Sequence, residues 1–223
     1  RELTRGRLRP CLVHPRIQGV LEGAPLVQAG ERARDVAVLL APRLDGTYLA
    51  IQGPPGSCKT TIGAEIILEL VNAGKRVGIT ANSHKVIGNL LDKLMELPRE
   101  PGRQVRAMQK ADELDRCASK EVQSTGSSST VEEALIDGQV DVVSGTSWLF
   151  ARPTFPPKLD FLVVDEAGQM ALANVLAMAG VTRNFIFPGD PNQLSQPSHG
   201  IHPAGVNRSV LDHVIQERAT RPS

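Results

Sequence analysis

The segment from Gly53 to Thr60 contains the residue types that proteins use to bind phosphate. It follows an apolar stretch that predicts a buried strand and it opens a predicted helix, the context that a phosphate-binding loop requires. Loop N–H groups and the amino end of a helix favour the negative charge of a phosphate. Lys59 would reach the β- and γ-phosphates of a nucleotide, and the Thr60 hydroxyl would ligate Mg²⁺. The candidate nucleotide-binding residues in this segment are Gly53, Pro54, Pro55, Gly56, Ser57, Cys58, Lys59, Thr60 and Thr61.

Cys58 departs from the usual pattern, which has glycine immediately before the lysine. Because this part of the backbone lies close to the phosphates, a Cβ and a sulfur there could crowd the ligand or tilt the loop. The alternative is that the sulfur points aside and the substitution is tolerated. A turn that only joins a strand to a helix is a further interpretation of the segment, which the placement of Lys59 and Thr60 at the required offset disfavours.

Two carboxylates follow the apolar run that begins at Leu159. A buried strand that ends in Asp165-Glu166 places both side chains at the carboxyl edge of the sheet, beside the phosphate-binding loop. Asp165 would hold Mg²⁺ through water, and Glu166 would orient and deprotonate an attacking water. Either carboxylate alone could be a surface group at a strand end. The combination with Lys59 favours a catalytic role for Glu166.

A third element, Gly189 to Leu194, also comes directly after a predicted strand. The amide of Gln193 can contact a γ-phosphate or the attacking water, and Asp190 is a further nucleotide-binding candidate. In isolation this segment is only a turn that contains Asp-Pro. Because it is the third strand end with such residues, we predict that Gln193 acts together with Lys59 and Glu166 as the catalytic residues of one site.

Alternating strand and helix patterns must position these residues. The pattern predicts an α/β fold in which a parallel sheet is covered by helices on both faces. Predicted strands are Tyr48–Gln52, Arg76–Thr80, Val140–Ser144, Phe161–Asp165 and Asn184–Pro188. Predicted helices are Val36–Leu40, Thr60–Asn72, His84–Leu97, Ala171–Met178 and Ser209–Glu217.

Two segments lack this regularity. Residues 1–32 mix Arg, Pro and Gly without a sustained period, and we interpret them as a linker or lead-in to a domain over 33–223. In residues 98–139 the apolar density falls and charges, Gly and Ser dominate, which predicts a partly mobile insertion. Thr130 and Glu133 could form a capping box for a short helix within it.

Composition limits the functional classes. A net charge of +1 gives no global case for nucleic acid, so any such binding needs a local groove. Three scattered cysteines form neither a disulfide framework nor a zinc pattern and fit a reduced, cytoplasmic setting. No apolar run reaches membrane-spanning length, so we expect no membrane partner.

Together these residues resemble superfamily 1 helicases, in particular the first RecA-like domain, 1A. The segment from Gly53 resembles motif I, Asp165-Glu-Ala-Gly-Gln169 motif II and Gly189-Asp-Pro-Asn-Gln193 motif III. The Asp-Glu-Ala-x-Gln form is typical of the branch that translocates 5′ to 3′ on single strands. The chain looks closest to the helicase part of bacterial proteins that fuse a RecB-like nuclease to such a motor. The resemblance implies a P-loop NTPase that uses ATP and Mg²⁺, with Gln169 coupling ATP to the strand.

The resemblance extends to Thr80–Lys85, which is similar to motif Ia, and to Ser144–Trp148, which is similar to motif Ic. It implies a single-stranded nucleic-acid partner, DNA more readily than RNA. Hydroxyls, a lysine and loop N–H groups suit sequence-independent phosphate contact. A helix N-cap with solvated neighbours is the alternative for 83–85. Trp148 could stack a base, although a Trp beside Leu149 and Phe150 is more often in the core. The implied contact residues are Thr80, Ser83, His84, Lys85 and Thr146.

A superfamily 1 motor closes its ATP site with a second RecA-like domain that supplies arginines. This chain ends soon after the motif III segment, so we expect that domain, and a fused nuclease domain if there is one, elsewhere in a parent chain. Because such an arginine is worth about 10³–10⁵ in rate, we expect this chain alone to be weakly active or inactive. The alternatives are a degenerate, non-hydrolysing domain that binds nucleic acid or a protein, suggested by Cys58, and a small kinase.

Overall fold

The structure is a computed structural model and describes residues 17–19, 26–53, 58–190 and 208–216. Within these ranges the strands are β1 Tyr48–Gln52, β2 Val77–Thr80, β3 Ala107–Lys110, β4 Gln123–Thr125, β5 Val142–Ser144, β6 Phe161–Val164 and β7 Phe185–Gly189. The helices are α1 Ala33–Leu40, α2 Lys59–Asn72, α3 His84–Glu96, α4 Ser128–Ile136, α5 Ser147–Phe150, α6 Leu172–Ala177 and α7 Val210–Gln216. Two 3₁₀ turns cover Ala41–Arg43 and Glu113–Asp115.

The seven strands form one sheet in the order β1-β7-β6-β2-β5-β3-β4, and every neighbouring pair is parallel. Parallel strands need crossover connections, which here are mostly helices. Their carboxyl ends therefore lie along one edge of the sheet. The α/β fold predicted from the sequence is confirmed, and the predicted strand ends share this edge.

Alternation along the central strands divides the interior into two cores. Leu162 and Val164 of β6 face the core beneath α4–α7, whereas Phe161 and Val163 face the core beneath α1–α3. Phe185 and Phe187 of β7 lie on the first side and Ile186 on the second. A strand that is apolar on both faces needs helices on both sides, and this explains the near-continuous apolar runs of the sequence.

Residues 98–139 differ from the partly mobile insertion that we expected. They contribute β3, β4 and α4, and β3 pairs with β5 through Met108 and Val143. The buried Val131 and Leu135 join the same core as Val143. Strands of only four and three residues do not raise the local apolar density, so the surrounding charges conceal them in the sequence.

The helix α4 begins one turn earlier than the predicted capping box. Its N-cap is Ser127, whose hydroxyl accepts the N–H of Thr130 at 3.3 Å. Thr130 therefore lies inside the helix. Six Ser and Thr residues lie in the run from Ser124 to Thr130, and the cap is Ser127, whose backbone is extended. The choice of cap therefore depends on backbone conformation, which the sequence run does not reveal.

The lead-in contacts the domain where the structure describes it. Ile17 is buried and forms an antiparallel bridge with Leu44. Among the described residues, the first helix begins at Ala33. The assignment of residues 1–32 as a linker stays a prediction. None of the helices in the described ranges combines the length and the apolar character needed to cross a bilayer.

Candidate functional site

Three strand ends meet where the sequence predicts a nucleotide site. Strand β7 lies between β1 and β6 and connects them through its terminal carbonyls. Gly53 N–H donates to the Gly189 carbonyl at 3.2 Å, and Ala167 N–H donates to the Pro188 carbonyl at 3.0 Å. The start of the predicted phosphate-binding loop and the carboxylate turn are thus held one strand apart.

Lys59 is the first residue of α2, and its Nζ donates to the Gly53 carbonyl at 2.7 Å. The lysine therefore reaches back over the end of β1. Thr60 and Thr61 are half-buried in the first turn of α2. The helix has 14 residues, so its amino end carries a well-developed partial positive charge.

Cys58 precedes α2 in the left-handed conformation, with φ 57° and ψ 27°. Glycine adopts this conformation without the steric cost that a Cβ brings. The usual glycine at this position is therefore explained by the left-handed backbone conformation as well as by the close approach of a ligand. The Cys58 side chain is exposed.

Asp165 is 5% exposed, and burial raises its pKa to about 6. The negative charge of Glu166 also raises this pKa, whereas the Glu166 N–H, which donates to Asp165 Oδ1 at 2.9 Å, and the charge of Lys59 lower it. Lys59 and the carboxylate pair are therefore close enough to interact. The predicted convergence of Lys59, Asp165 and Glu166 at one place is present. Glu166 itself has a positive φ of 51°.

Gly168 is a residue of this site to which the sequence analysis gave no role. A Cβ at Gly168 would lie 2.1 Å from the Asp190 carbonyl oxygen, and one at Gly189 would lie 2.8 Å from the Gly168 nitrogen. The backbone of the turn after β6 and the backbone at the end of β7 are therefore in close contact. The available signal was a glycine in each of the two segments that carry Asp165 and Asp190.

The remaining nucleotide candidates are only partly described. Asp190 is buried at the end of β7, and Gln169 is half-buried, with its N–H donating to the Glu166 carbonyl at 2.8 Å. Both lie at the same edge of the sheet as Asp165. The candidates outside the described residues are Pro54, Pro55, Gly56, Ser57 and Gln193.

The loop after β2 carries most of the predicted nucleic-acid contacts. Ser83 is an N-cap, since its hydroxyl accepts the Val86 N–H at 3.3 Å, which confirms the capping interpretation for that side chain. Lys85 is exposed. Thr80 is fully buried, and its Oγ1 has no hydrogen-bond partner. The Nδ1 atom of His84 is also buried and also has no hydrogen-bond partner.

The loop after β5 lies beside the loop after β2. The Gly145 N–H donates to the Ile79 carbonyl at 3.1 Å, and Thr146 then precedes the short helix α5. Thr146 is half-buried and its side chain does not cap α5. Trp148 is 83% exposed, so the expectation that it belongs to the core is wrong. Its neighbours Leu149 and Phe150 take the core positions instead.

The sheet and its site have the RecA-like architecture of the P-loop NTPases. A family model described as AAA domain matches residues 44–217, and the chain therefore belongs to the AAA domain family. It is a helicase-like P-loop NTPase domain, related to the proteins compared next.

Two curated relatives are named DNA replication ATP-dependent helicase/nuclease DNA2. The human protein is 31% identical over 158 residues, which are 68% of this chain and 14% of that protein. The Saccharomyces cerevisiae protein is 30% identical over 151 residues, 66% of this chain and 10% of that protein. The chain thus spans a small part of these relatives. A solved arterivirus nonstructural protein 10 (helicase) in complex with DNA has a TM-score of 0.40 and 13% identity, covering 75% of this chain and 33% of that one.

Proposed function

We propose that this chain is the ATP-binding motor domain 1A of a superfamily 1 DNA helicase of the 5′-to-3′ branch, which couples ATP hydrolysis to translocation on single-stranded DNA. The observation that carries the proposal is the convergence of Lys59 with the buried Asp165 and with Glu166 at the carboxyl edge of the sheet. The similarity to proteins named DNA replication ATP-dependent helicase/nuclease DNA2 also supports a helicase function.

The residues at this edge fit magnesium and a triphosphate. A carboxylate that is buried enough to have its pKa raised to about 6 gains from a nearby cation, and within the described ranges Lys59 is the one positive charge that acts on Asp165. Thr60 and Asp165 would hold Mg²⁺, the latter through water. Lys59 and the loop N–H groups would hold the phosphates at the amino end of α2.

Bound ATP would supply the phosphoanhydride bond whose hydrolysis drives the motor. Glu166 would orient the attacking water and accept its proton, and Gln193 would contact the γ-phosphate side of the site. Gln169, three residues beyond Glu166 in the same turn, would report the state of the nucleotide to the strand-binding loops. Glu166 and Gln169 both lie in the turn after β6, at the carboxyl edge of the sheet, whereas Gln193 lies outside the described residues.

The strand-binding loops are joined to the nucleotide site by backbone. The Asp165 N–H donates to the Thr80 carbonyl at 2.8 Å, so a displacement of the metal-binding turn would act directly on the end of β2, where the loop of Thr80, Ser83, His84 and Lys85 begins. Thr146 lies in the next loop along. Hydrolysis would switch these loops between two grips on the sugar-phosphate backbone.

A second RecA-like domain in the parent chain would complete the ATP site. A nuclease domain would be a further partner in that chain, because the relatives are named as helicase/nucleases. An arginine supplied by that domain would raise the rate by about 10³–10⁵. We therefore expect the isolated domain to bind nucleotide and to hydrolyse it poorly.

The test is ATP hydrolysis with and without single-stranded DNA, measured on this chain and on its full parent protein. We expect DNA to stimulate the parent, and Lys59→Ala to abolish the stimulation. Lys75→Ala is the matched control, because Lys75 precedes β2 and lies at the opposite edge of the sheet. A parent protein that hydrolyses no ATP, even after Cys58→Gly, would instead support the degenerate domain that binds without hydrolysis.

A further inference from the structure

The indole of Trp148 is held in solvent by its own helix. Trp148 is 83% exposed, whereas the next two residues of α5, Leu149 and Phe150, are 2% and 1% exposed. Leu149 packs against Gly145, where a Cβ would lie 2.8 Å from its Cδ2. These anchors fix the helix, so Trp148 cannot turn inward. An exposed side chain of this size loses the large stabilisation that burial of its apolar surface would give. Trp148 is the only Trp in the sequence.

A lysine lies next to this loop on the neighbouring strand. Gln109 of β3 pairs with Ser144 of β5, which sets Lys110 opposite Gly145. A Cβ at Gly145 would lie 3.4 Å from the Lys110 Cβ. In the part of the chain that the structure describes, the Lys110 side chain forms no hydrogen bond or ion pair, although its backbone pairs with Thr125 of β4. The edge at β5 and β3 thus combines an exposed aromatic ring with a cation.

The adjacent loop on the other side offers polar groups without partners. Thr80 Oγ1, Asn82 Nδ2 and His84 Nδ1 are all buried atoms that form no hydrogen bond. Buried polar groups are normally paired, so each such atom indicates a missing partner, whether a ligand or water. The loop after β2, the loop after β5 and the end of β3 at Lys110 therefore form a continuous strip, here called the β2–β3 strip, with polar atoms, an indole and a lysine in that order.

We propose that the β2–β3 strip extends the path of single-stranded nucleic acid, with Trp148 stacking a base and Lys110 contacting a phosphate. The inference rests on the proposed function and assigns to that site two residues beyond the strand-binding loops. Stacking on an aromatic ring beside a cation is how proteins hold single strands without reading sequence. A protein partner would call for a contiguous apolar patch, whereas Trp148 lies between the unpaired polar atoms of the loop after β2 and the lysine at the end of β3.

Acidic residues bound the strip at its far end. The loop after β3 carries Asp112, Glu113 and Asp115 around the fully exposed Leu114. The Asp112 carboxylate faces Gly126, in the loop after β4, where a Cβ would lie 3.2 Å from its Oδ1. Phosphates would be repelled beyond β3. The path therefore crosses β2, β5 and β3 and stops there.

The single tryptophan makes the stacking directly observable. Adding oligothymidylate to this chain should quench the intrinsic fluorescence, because thymine would stack on Trp148. Binding is measured in parallel by the anisotropy of a fluorescein-labelled oligothymidylate. Trp148→Ala should weaken binding between about 5-fold and about 100-fold, and Trp148→Phe should recover most of the loss, since any aromatic ring can stack a base.

The contribution of Lys110 appears in the salt dependence. Lys110→Ala should reduce the slope of log affinity against log salt by about 0.7, the share of one phosphate contact with a single strand. Lys75→Ala, at the opposite edge of the sheet, should leave both affinity and slope unchanged.

The two measurements separate failure of this inference from failure of the proposed function. If anisotropy shows that oligothymidylate binds while the Trp148 fluorescence does not change, the stacking role of Trp148 is overturned. The proposed role of the strand-binding loops would not be affected by that result. Equal affinities for wild type, Trp148→Ala and Trp148→Phe would overturn the stacking role too. No binding at all would overturn both this inference and the nucleic-acid part of the proposed function.

Discussion

Cys58 shows how a single residue type can oppose the backbone that its position requires. Its φ of 57° lies in the left-handed region, where an L-residue with a Cβ is disfavoured by roughly 1–2 kcal/mol. The residue precedes a lysine whose ammonium group must be placed over the end of β1. The strain is therefore located at the hinge between the loop and α2.

Replacing Cys58 by glycine should relieve this strain. We expect Cys58→Gly to be more stable than Cys58→Ala by about 1 kcal/mol, because both variants remove the sulfur and only glycine removes the Cβ. Urea denaturation of the two variants measures the difference. Equal stabilities would mean that the left-handed conformation costs nothing here. Nucleotide affinities of the same pair would show separately whether the side chain crowds a ligand.

Asp165 makes folding depend on pH. Its folded pKa of about 6 lies above the ordinary carboxyl value of 3.8, so the folded state binds the proton more tightly. The resulting stabilisation is fully present below the unfolded pKa and is lost as pH rises through about 6. At neutral pH the buried charge costs at most about 3 kcal/mol.

Asp165→Asn should therefore be more stable than wild type at about pH 8 in EDTA, and the gap should shrink as the pH falls to about 4.5. Free energies of unfolding across this range measure the effect. The matched control is Asp45→Asn, which removes an exposed carboxylate that stays in water on folding. Added Mg²⁺ should narrow the gap by stabilising wild type alone. A gap that does not change with pH would contradict the burial argument.

At the scale of elements, the carboxylate turn is positioned by backbone contact between two strand ends. Gly168 and Gly189 allow this contact, because a Cβ on either would collide with backbone atoms of the other segment. Hydrogen bonds from Gly53 and Ala167 then connect β1 and β6 through β7. Strand adjacency and backbone contact thus place the carboxylate turn beside the end of β1.

Gly168→Ala should separate these segments. A Cβ placed 2.1 Å from the Asp190 carbonyl oxygen must displace backbone, which we expect to cost about 1–3 kcal/mol of stability. Thermal denaturation measures the loss, and Gly180→Ala is the control, since nothing lies within 4 Å of a Cβ there. If both variants had the stability of wild type, the close contact would not be needed to hold the turn.

At the scale of the whole molecule, the proposed function divides one sheet edge between two tasks. The ends of β1, β7 and β6 carry the residues proposed to bind the nucleotide, and the ends of β2 and β5 carry those proposed to bind the single strand. The backbone bond between Asp165 and Thr80 lies at the boundary of the two groups. A parallel sheet makes this division possible, because all its carboxyl ends share an edge.

The sequence alone predicted most of the fold, because the central strands are apolar on both faces and each is followed by a helical pattern. The bounds of β1 and of α1–α3 were close to those observed. It did not predict β3, β4 and the start of α4, since very short strands gain their stability from neighbours on the sheet and not from their own composition. Such pairing is decided by contacts distant in sequence.

The sequence by itself determined which chemistry is available: a lysine and hydroxyls in a phosphate-binding loop, and a carboxylate pair after a strand. Only the tertiary structure decided that Asp165 is buried enough to raise its pKa, that Gly168 must lack a Cβ, and that Trp148 stands in solvent. Residue types and spacing fix local chemistry. The burial of a side chain and the close contact of two backbone segments depend on which strands are neighbours in the sheet. The order of the strands along the chain does not specify these neighbours.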